Sequence, residues 1–186
     1  MFANDTDIAL GSVVALINTG KEEQDKLLTH EDLDRFLNAE KFTGSRTHDN
    51  KELHAVQRLR TQLEEIWSAP EVEAVERVNR ILRESRALPQ LVKHHDWGWH
   101  LHATTPEAPL EVRMATEAAM ALVDVIRTQE LERLRICAAE DCSAVVVDLT
   151  RNRSKRYCDV GNCANREHVK AYRARKANAP TEQEVS

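Results

Sequence analysis

Aromatic residues make up only 4% of this 186-residue chain, so any core must be built from Leu, Val, Ile and Ala. Glycine is equally scarce at five residues, and neither a glycine-rich phosphate loop nor a nucleophile motif occurs, which leaves nucleotide-dependent and covalent catalysis without their usual signatures. No apolar run approaches the roughly 20 residues of a membrane span. The longest, Ile8 to Ile17, is preceded by Asp5 and Asp7 rather than by lysines, so it does not read as a signal peptide. A cytoplasmic protein with no membrane partner is therefore expected. Cysteine is missing from the first 136 residues; all four lie between Cys137 and Cys163.

Those four form two pairs of equal internal spacing, Cys137-Ala-Ala-Glu-Asp-Cys142 and Cys158-Asp-Val-Gly-Asn-Cys163. Four thiolates complete the tetrahedral shell of a structural Zn2+ and leave no open position for a substrate. Two disulfides or a redox dithiol are the alternatives. Redox pairs usually read Cys-x-x-Cys, and nothing else in the chain resembles a secreted protein, so a structural zinc site is the expectation.

Between the pairs, Ala144-Val-Val-Val147 favours a strand, the return arm of a hairpin whose first arm is Leu134-Arg-Ile136 and whose tip carries Cys137 and Cys142. A basic loop with Arg151, Arg153, Lys155 and Arg156 follows. A helix then starts near Cys163, with Asn162 as its cap, and runs through Lys176. A hairpin and a helix that gives its first turn to the metal make a treble-clef-like module. Residues 150–186 carry nine Lys/Arg against four Asp/Glu, whereas residues 1–149 carry 17 against 27, so the overall charge of −5 hides a basic C-terminal segment. Arg166, Lys170 and Arg173 share one helical face, with Arg175 on a neighbouring row. Such a cluster suits phosphate neutralisation with counterion release. A solvated basic helix is the plainer alternative.

The segment Asp148-Leu-Thr-Arg-Asn-Arg-Ser-Lys-Arg-Tyr-Cys158, with Cys163-Ala-Asn-Arg166 and Ala171-Tyr-Arg-Ala-Arg175, resembles the CGNR zinc-finger family. That family carries an Asp-x-Ser-Arg-Asn loop, a Cys-Gly-Asn-Arg signature and an Ala-Tyr-Arg-x-Arg helix. Ala164 stands here for the signature glycine and Thr150 for the serine. Near the start, Ile17-Asn-Thr19 and then Leu28-Thr-His-Glu-Asp-Leu33 resemble the opening of the ABATE domain that precedes such fingers. The resemblance implies a transcriptional regulator whose finger binds double-stranded DNA. It adds Asn165 and Arg166 of the signature to Arg151, Arg153, Lys155, Arg156, Lys170, Arg173 and Arg175 as candidate nucleic-acid-binding residues. The expected organisation is an ABATE-like, mostly helical domain over 1–130, the finger over 131–177 and a polar tail over 178–186.

The rest of the N-terminal part reads mainly as helix. Residues 8–18 suit a buried helix or an extended segment. Thr29 with Asp32 forms a capping-box variant before Leu33, Phe36 and Leu37. Leu53, Val56, Leu59, Leu63 and Trp67 form one stripe, and Val75, Val78 and Leu82 the next, with Pro70 between the two helices. The segment from Pro109 to Glu130 has a wide apolar face and enters the cysteine region without a Gly/Ser linker, so the finger should be docked rather than tethered. The fold class expected is mainly α: a helical domain with a small β-hairpin, plus the zinc module.

One further stretch bears on function: His94-His-Asp-Trp97-Gly-Trp99-His100-Leu-His102. A half-buried hairpin is the plain reading, with Asp96-Trp-Gly98 as its turn. A small-molecule pocket at Trp97, Trp99, His100 and His102 is the functional one. The whole then reads as a DNA-binding regulator, not an enzyme, in which the helical domain senses an effector or makes a homodimer. The alternatives are a zinc-stabilised protein-interaction adaptor, or a small metal-dependent enzyme using the histidine-rich hairpin.

Overall fold

A computed structural model of the chain describes residues 2–21, 24–93 and 98–177. Helix α1 spans Asn4–Asn18, α2 His30–Ala39, α3 Asn50–Trp67, α4 Glu71–Glu84 and α5 Leu110–Arg127. Strands β1 (Gln90–Val92) and β2 (His100–His102) form an antiparallel hairpin between α4 and α5. Strands β3 (Leu134–Ile136) and β4 (Val145–Val147) form a second one before α6 (Cys163–Ala177).

Local signals explain most of the boundaries. Thr29 accepts a hydrogen bond from the Asp32 amide while Asp32 accepts from the Thr29 amide, the reciprocal cap expected for α2. Asp49 caps α3 by accepting from the Glu52 amide, without the reciprocal bond. Pro70 and Pro109 occupy the N-cap positions of α4 and α5. α1 begins four residues earlier than the apolar run suggested, because Asp5 and Asp7 in its first turn are favoured at the positive end of a helix dipole.

α5 is the central element and packs against α1, α3 and α4. Leu10, Val13, Leu16 and Ile17 of α1 meet Val56, Leu59 and Leu63 of α3 and Leu122 and Val125 of α5, all nearly sealed from solvent. Each such side chain contributes about 1.5–3 kcal/mol of burial free energy. Arg113 of α5 is buried and donates to the Thr43, Ser45 and Ala108 carbonyls, fastening the loop after α2 to the start of α5. Gly44 sits there at φ 98°, and a Cβ would collide with the Arg113 guanidinium, so glycine is required on both counts.

β4 belongs to two cores at once. Val145 and Val147 pack into the helical core, while Val146, pointing the other way, packs with Cys137, Ala139, Ala144, Cys158 and Cys163. Asn18, the last residue of α1, is buried beside it. Its side chain donates to the Val145 carbonyl at 3.0 Å and accepts from the Val145 amide at 2.8 Å, pairing with the strand as a neighbouring backbone would. Trp67 at the end of α3 donates its indole N–H to the Arg135 carbonyl at 3.0 Å. The C-terminal hairpin is thus held against the helices at two further points.

Candidate metal centre and basic surface

The β3–β4 hairpin places the first cysteine pair at its tip. Cys137 donates its amide to Ala144 at 2.8 Å, and a tight turn returns the Cys142 amide to the Ala139 carbonyl at 3.1 Å. The Ala138 amide reaches the Arg156 carbonyl at 2.8 Å and so brings the second pair alongside. Asn162 then turns the chain through a left-handed φ of 52°, which asparagine tolerates, and α6 begins on Cys163 itself. The expectation of Asn162 at the helix start holds, but its left-handed backbone differs from the extended conformation of a side-chain cap.

The four sulfurs lie within 4.8 Å of one another. The Cys142–Cys158 and Cys158–Cys163 separations are 3.6 Å, too long for disulfides, and all four thiols are free. A zinc–sulfur bond of about 2.3 Å sets tetrahedral sulfurs about 3.8 Å apart, so the cluster matches the ion. Without a cation, burial first and then the neighbouring sulfurs of Cys158, Cys163 and Cys137 push the Cys142 thiol up to about 12, against the pull of the Ala144 amide. Four thiolates share this space only around a divalent cation. The Cys158 amide reaches Cys137 Sγ at 3.4 Å, and Arg166 Nη2 reaches Cys163 Sγ at 3.2 Å, donors that stabilise thiolate charge. Cys137, Cys142, Cys158 and Cys163 therefore form a closed zinc site whose chemistry is structural.

The loop between the pairs is organised by Asp148, which is fully buried. Its carboxylate accepts from the Thr150 hydroxyl at 2.6 Å, the Thr150 amide at 3.0 Å and the Lys155 amide at 3.0 Å, and pairs with Arg135 at 3.0 Å. Burial pushes this carboxyl up, but the bonds from Thr150 and Lys155, with Arg135 beside them, outweigh it and hold it below the ordinary aspartate range. Thr150 supplies the hydroxyl of the family's serine and also accepts from the Ser154 amide at 3.0 Å. Arg133 and Arg135 complete the frame by donating to the loop carbonyls of Asp148, Thr150 and Lys155. Sequence reading missed both arginines and named Asp148 only as part of the family's loop, without a role. The Asp-x-Ser/Thr spacing, which forms a side-chain turn, signalled the role of Asp148 and not that of the arginines.

Replacing Asp148 with asparagine is expected to destabilise the fold by about 2 kcal/mol, since it removes the charge facing Arg135. The folded value lies below the ordinary 3.8. The contribution of Asp148 is therefore complete above that pH and is lost as pH falls through the folded value. Denaturant titrations of both proteins between pH 3 and 7 check this; equal stability at pH 7 would refute it.

The nine residues expected at a nucleic-acid surface are divided by ion pairs. Arg166 makes a two-pronged contact with Asp141 at 2.6 and 3.1 Å, and Lys170 reaches Glu140 at 2.7 Å. Both acids lie in the first cysteine knuckle, so these two cations fix α6 against it. Arg166, the arginine of the signature, also touches a zinc-ligand sulfur. Arg153 is paired with Glu130 and Glu132, and Lys155 with Asp159 at 2.7 Å. Among the described residues Arg151, Arg156, Arg173 and Arg175 have no carboxylate partner, nor has Lys176, and all five are exposed, as is Asn165. Beyond Cys163, α6 buries none of its side chains, and Val169 and Tyr172 stand 41% and 60% exposed.

In the first hairpin, His100 is buried and accepts or donates at two ring nitrogens. Nδ1 lies 2.9 Å from the Gly98 carbonyl, so it carries the proton. Nε2 lies within hydrogen-bonding distance of His102 Nε2, at 3.1 Å. The two histidines share a strand face. Burial pushes the nearby Glu117 carboxyl up, with Arg113 and His100 pulling it down. Trp99 points outward at 70% exposure, with Leu91 and Leu101 paired across the strands and also exposed. Trp97, with His94, His95 and Asp96, lies outside the described residues, as does the tail 178–186. A cleft of about 660 Å³ lies elsewhere, between α1 and the C-terminal module, and Trp99, His100 and His102 do not line it.

A helical body joined to a closed four-cysteine site at the foot of a basic helix defines a zinc-finger protein. Residues 12–129 match the ABATE family model, described as "Putative stress-induced transcription regulator", and residues 133–176 match that of the CGNR zinc finger. The chain belongs to the ABATE family and carries a CGNR zinc finger. No curated protein matches it. Among the described residues no helix is long and apolar enough to cross a membrane.

Proposed function

We propose that this zinc-binding protein regulates transcription by binding double-stranded DNA through α6 and the Arg151–Arg156 loop, and that it works in the cytoplasm by binding rather than catalysis. The observation that carries the reading is α6 itself. It leaves the zinc site with no apolar face buried against its own chain, so its basic surface is open to an external partner. Arg166 and Lys170, tied to the knuckle, aim the helix. Arg173, Arg175 and Lys176 at its far end, with Arg151 and Arg156 in the loop, are left to meet phosphate. Asn165 stands on the outward face, where an amide side chain can read a base edge. One short helix specifies few base pairs, so two copies acting as a homodimer would supply a usable site. The helical body then serves as the part that senses a small-molecule effector.

Five phosphate-neutralising cations give an expected slope of log affinity against log salt of about −4.5. Replacing Arg173 and Arg175 with alanine should flatten it to about −2.7. Fluorescence anisotropy with random and selected duplexes at several salt concentrations measures both. Absence of any binding at low salt would rule the reading out. Exposed Val169 and Tyr172 favour a protein partner as the second reading; a pull-down unaffected by nuclease would favour it over DNA.

A further inference from the structure

Strand β2 sets His100 and His102 on one face, buried and half-buried, while Leu101 between them stands 42% exposed on the other. The base of the hairpin is closed by the Leu88 amide, which donates to the Ala103 carbonyl at 2.9 Å, and Ala103 itself is buried. The two imidazoles are thus held on a fixed frame, with the buried carboxyl of Glu117 on α5 near enough to feel His100. Their Nε2 atoms are 3.1 Å apart, and the ring centres are 5.0 Å apart with the planes tilted by 58°. A hydrogen bond joining two rings end to end is close to linear and, with about 1.2 Å from each nitrogen to its ring centre, would hold the centres about 5.4 Å apart. The observed separation is shorter, so the rings meet at an angle. Two imidazoles bound to one ion at about 2.0–2.1 Å, with nitrogens this far apart, subtend about 95–102° at the ion and set their ring centres about 4.8–4.9 Å apart. The observed pair lies nearer to this second arrangement, whose angle falls between the octahedral and tetrahedral values. The Gly98 carbonyl accepts from His100 Nδ1 at 2.9 Å, the kind of outer bond that fixes the tautomer of a metal-ligating histidine and leaves Nε2 for the ion.

We propose that His100 and His102 form a second metal site, separate from the four cysteines, for a late first-row divalent ion such as Ni2+ or Zn2+. Imidazole nitrogen suits these ions, whereas Mg2+ and Ca2+ take oxygen ligands. The ion replaces the contact between the two nitrogens, so neither needs to be vacant beforehand. Among the described residues no third histidine, cysteine or carboxylate joins the pair, and water completes the shell. Two nitrogens with water make an open, exchangeable site, unlike the closed set of four thiolates. The ion is therefore lost on dialysis while the cysteine-bound zinc stays. Binding here is independent of whether α6 meets DNA.

Calorimetric titration of the dialysed, zinc-loaded full chain with Ni2+, and with Mg2+ as the hard counterpart, tests the assignment. Ni2+ should saturate at one ion per chain, and Mg2+ should not bind. In a parallel NMR titration, paramagnetic Ni2+ below one equivalent should broaden the ring resonances of His100 and His102 before those of exposed His54. His102→Ala should weaken Ni2+ at least tenfold with the cysteine-bound zinc retained, and His54→Ala should leave the affinity as it was. His102→Gln, which keeps a polar side chain without the imidazole, serves if the alanine variant does not fold. Non-saturable binding, broadening that spares both histidines, or an affinity indifferent to loss of the His102 ring overturns the site. Uptake of Ni2+ matched by an equal release of zinc would place the ion at the cysteines and overturn it as well.

Discussion

Replacing Cys158 with serine is expected to strip the protein of zinc and unfold the C-terminal hairpin, its loop and the first turn of α6. Structural zinc contributes about 10–16 kcal/mol of apparent binding free energy near pH 7, against a net stability of about 5–15 kcal/mol for a whole domain. The remaining contacts of the module cannot replace it: its own core beyond the cysteines is little more than Ala139, Ala144 and Val146. Elemental analysis should fall from one zinc per chain to none, chelation of the wild type should reproduce the change, and the melting temperature of the remainder should drop. The drop follows because Val145 and Val147 leave the helical core when the hairpin opens. Stoichiometric zinc in the serine variant would sink the assignment.

The second large effect is expected at Asn18. Alanine there leaves the amide and carbonyl of Val145 buried without partners, and each such group costs about 1–3 kcal/mol. A loss of about 3 kcal/mol in chemical denaturation is expected, together with faster zinc release to a competing chelator, since β4 is freed on the side facing α1. Zinc stoichiometry should not change. A variant as stable as the wild type would show that the Asn18 contact is incidental. Asn18→Asp makes a sharper control: it keeps one acceptor for the Val145 amide but turns a second oxygen on the Val145 carbonyl, so it should be destabilised as well.

What was legible in the sequence was whatever neighbours in the chain decide. The equal spacing of the two cysteine pairs led to the metal, the valine run to β4, Thr29 with Asp32 to the α2 cap, and the Leu53–Trp67 stripe to the buried face of α3. Contacts between residues far apart were not legible. Asn18 and Val145 are separated by 127 positions, and an asparagine closing a helix looks like a terminator until its partner strand is present. The basic residues were visible as a group, but their division was not. Asp141 and Glu140 claim Arg166 and Lys170 because the hairpin tip folds back beside α6, a placement that helical spacing alone does not encode. The tryptophans signalled a pocket at the first hairpin, and the cleft of about 660 Å³ went unnoticed because it is walled by small and β-branched residues of α1 and β4 that carry no such signal.

The three valines of β4 also bear on how such chains can be recombined. With Val145 and Val147 facing one neighbour and Val146 the other, the strand is an inseparable seam, and a finger grafted onto a foreign partner would bring two bare valines that need a matching groove. Exchange between relatives is therefore restricted to pairs that preserve that groove and the asparagine closing α1, so the two segments are expected to have been inherited together rather than shuffled as cassettes.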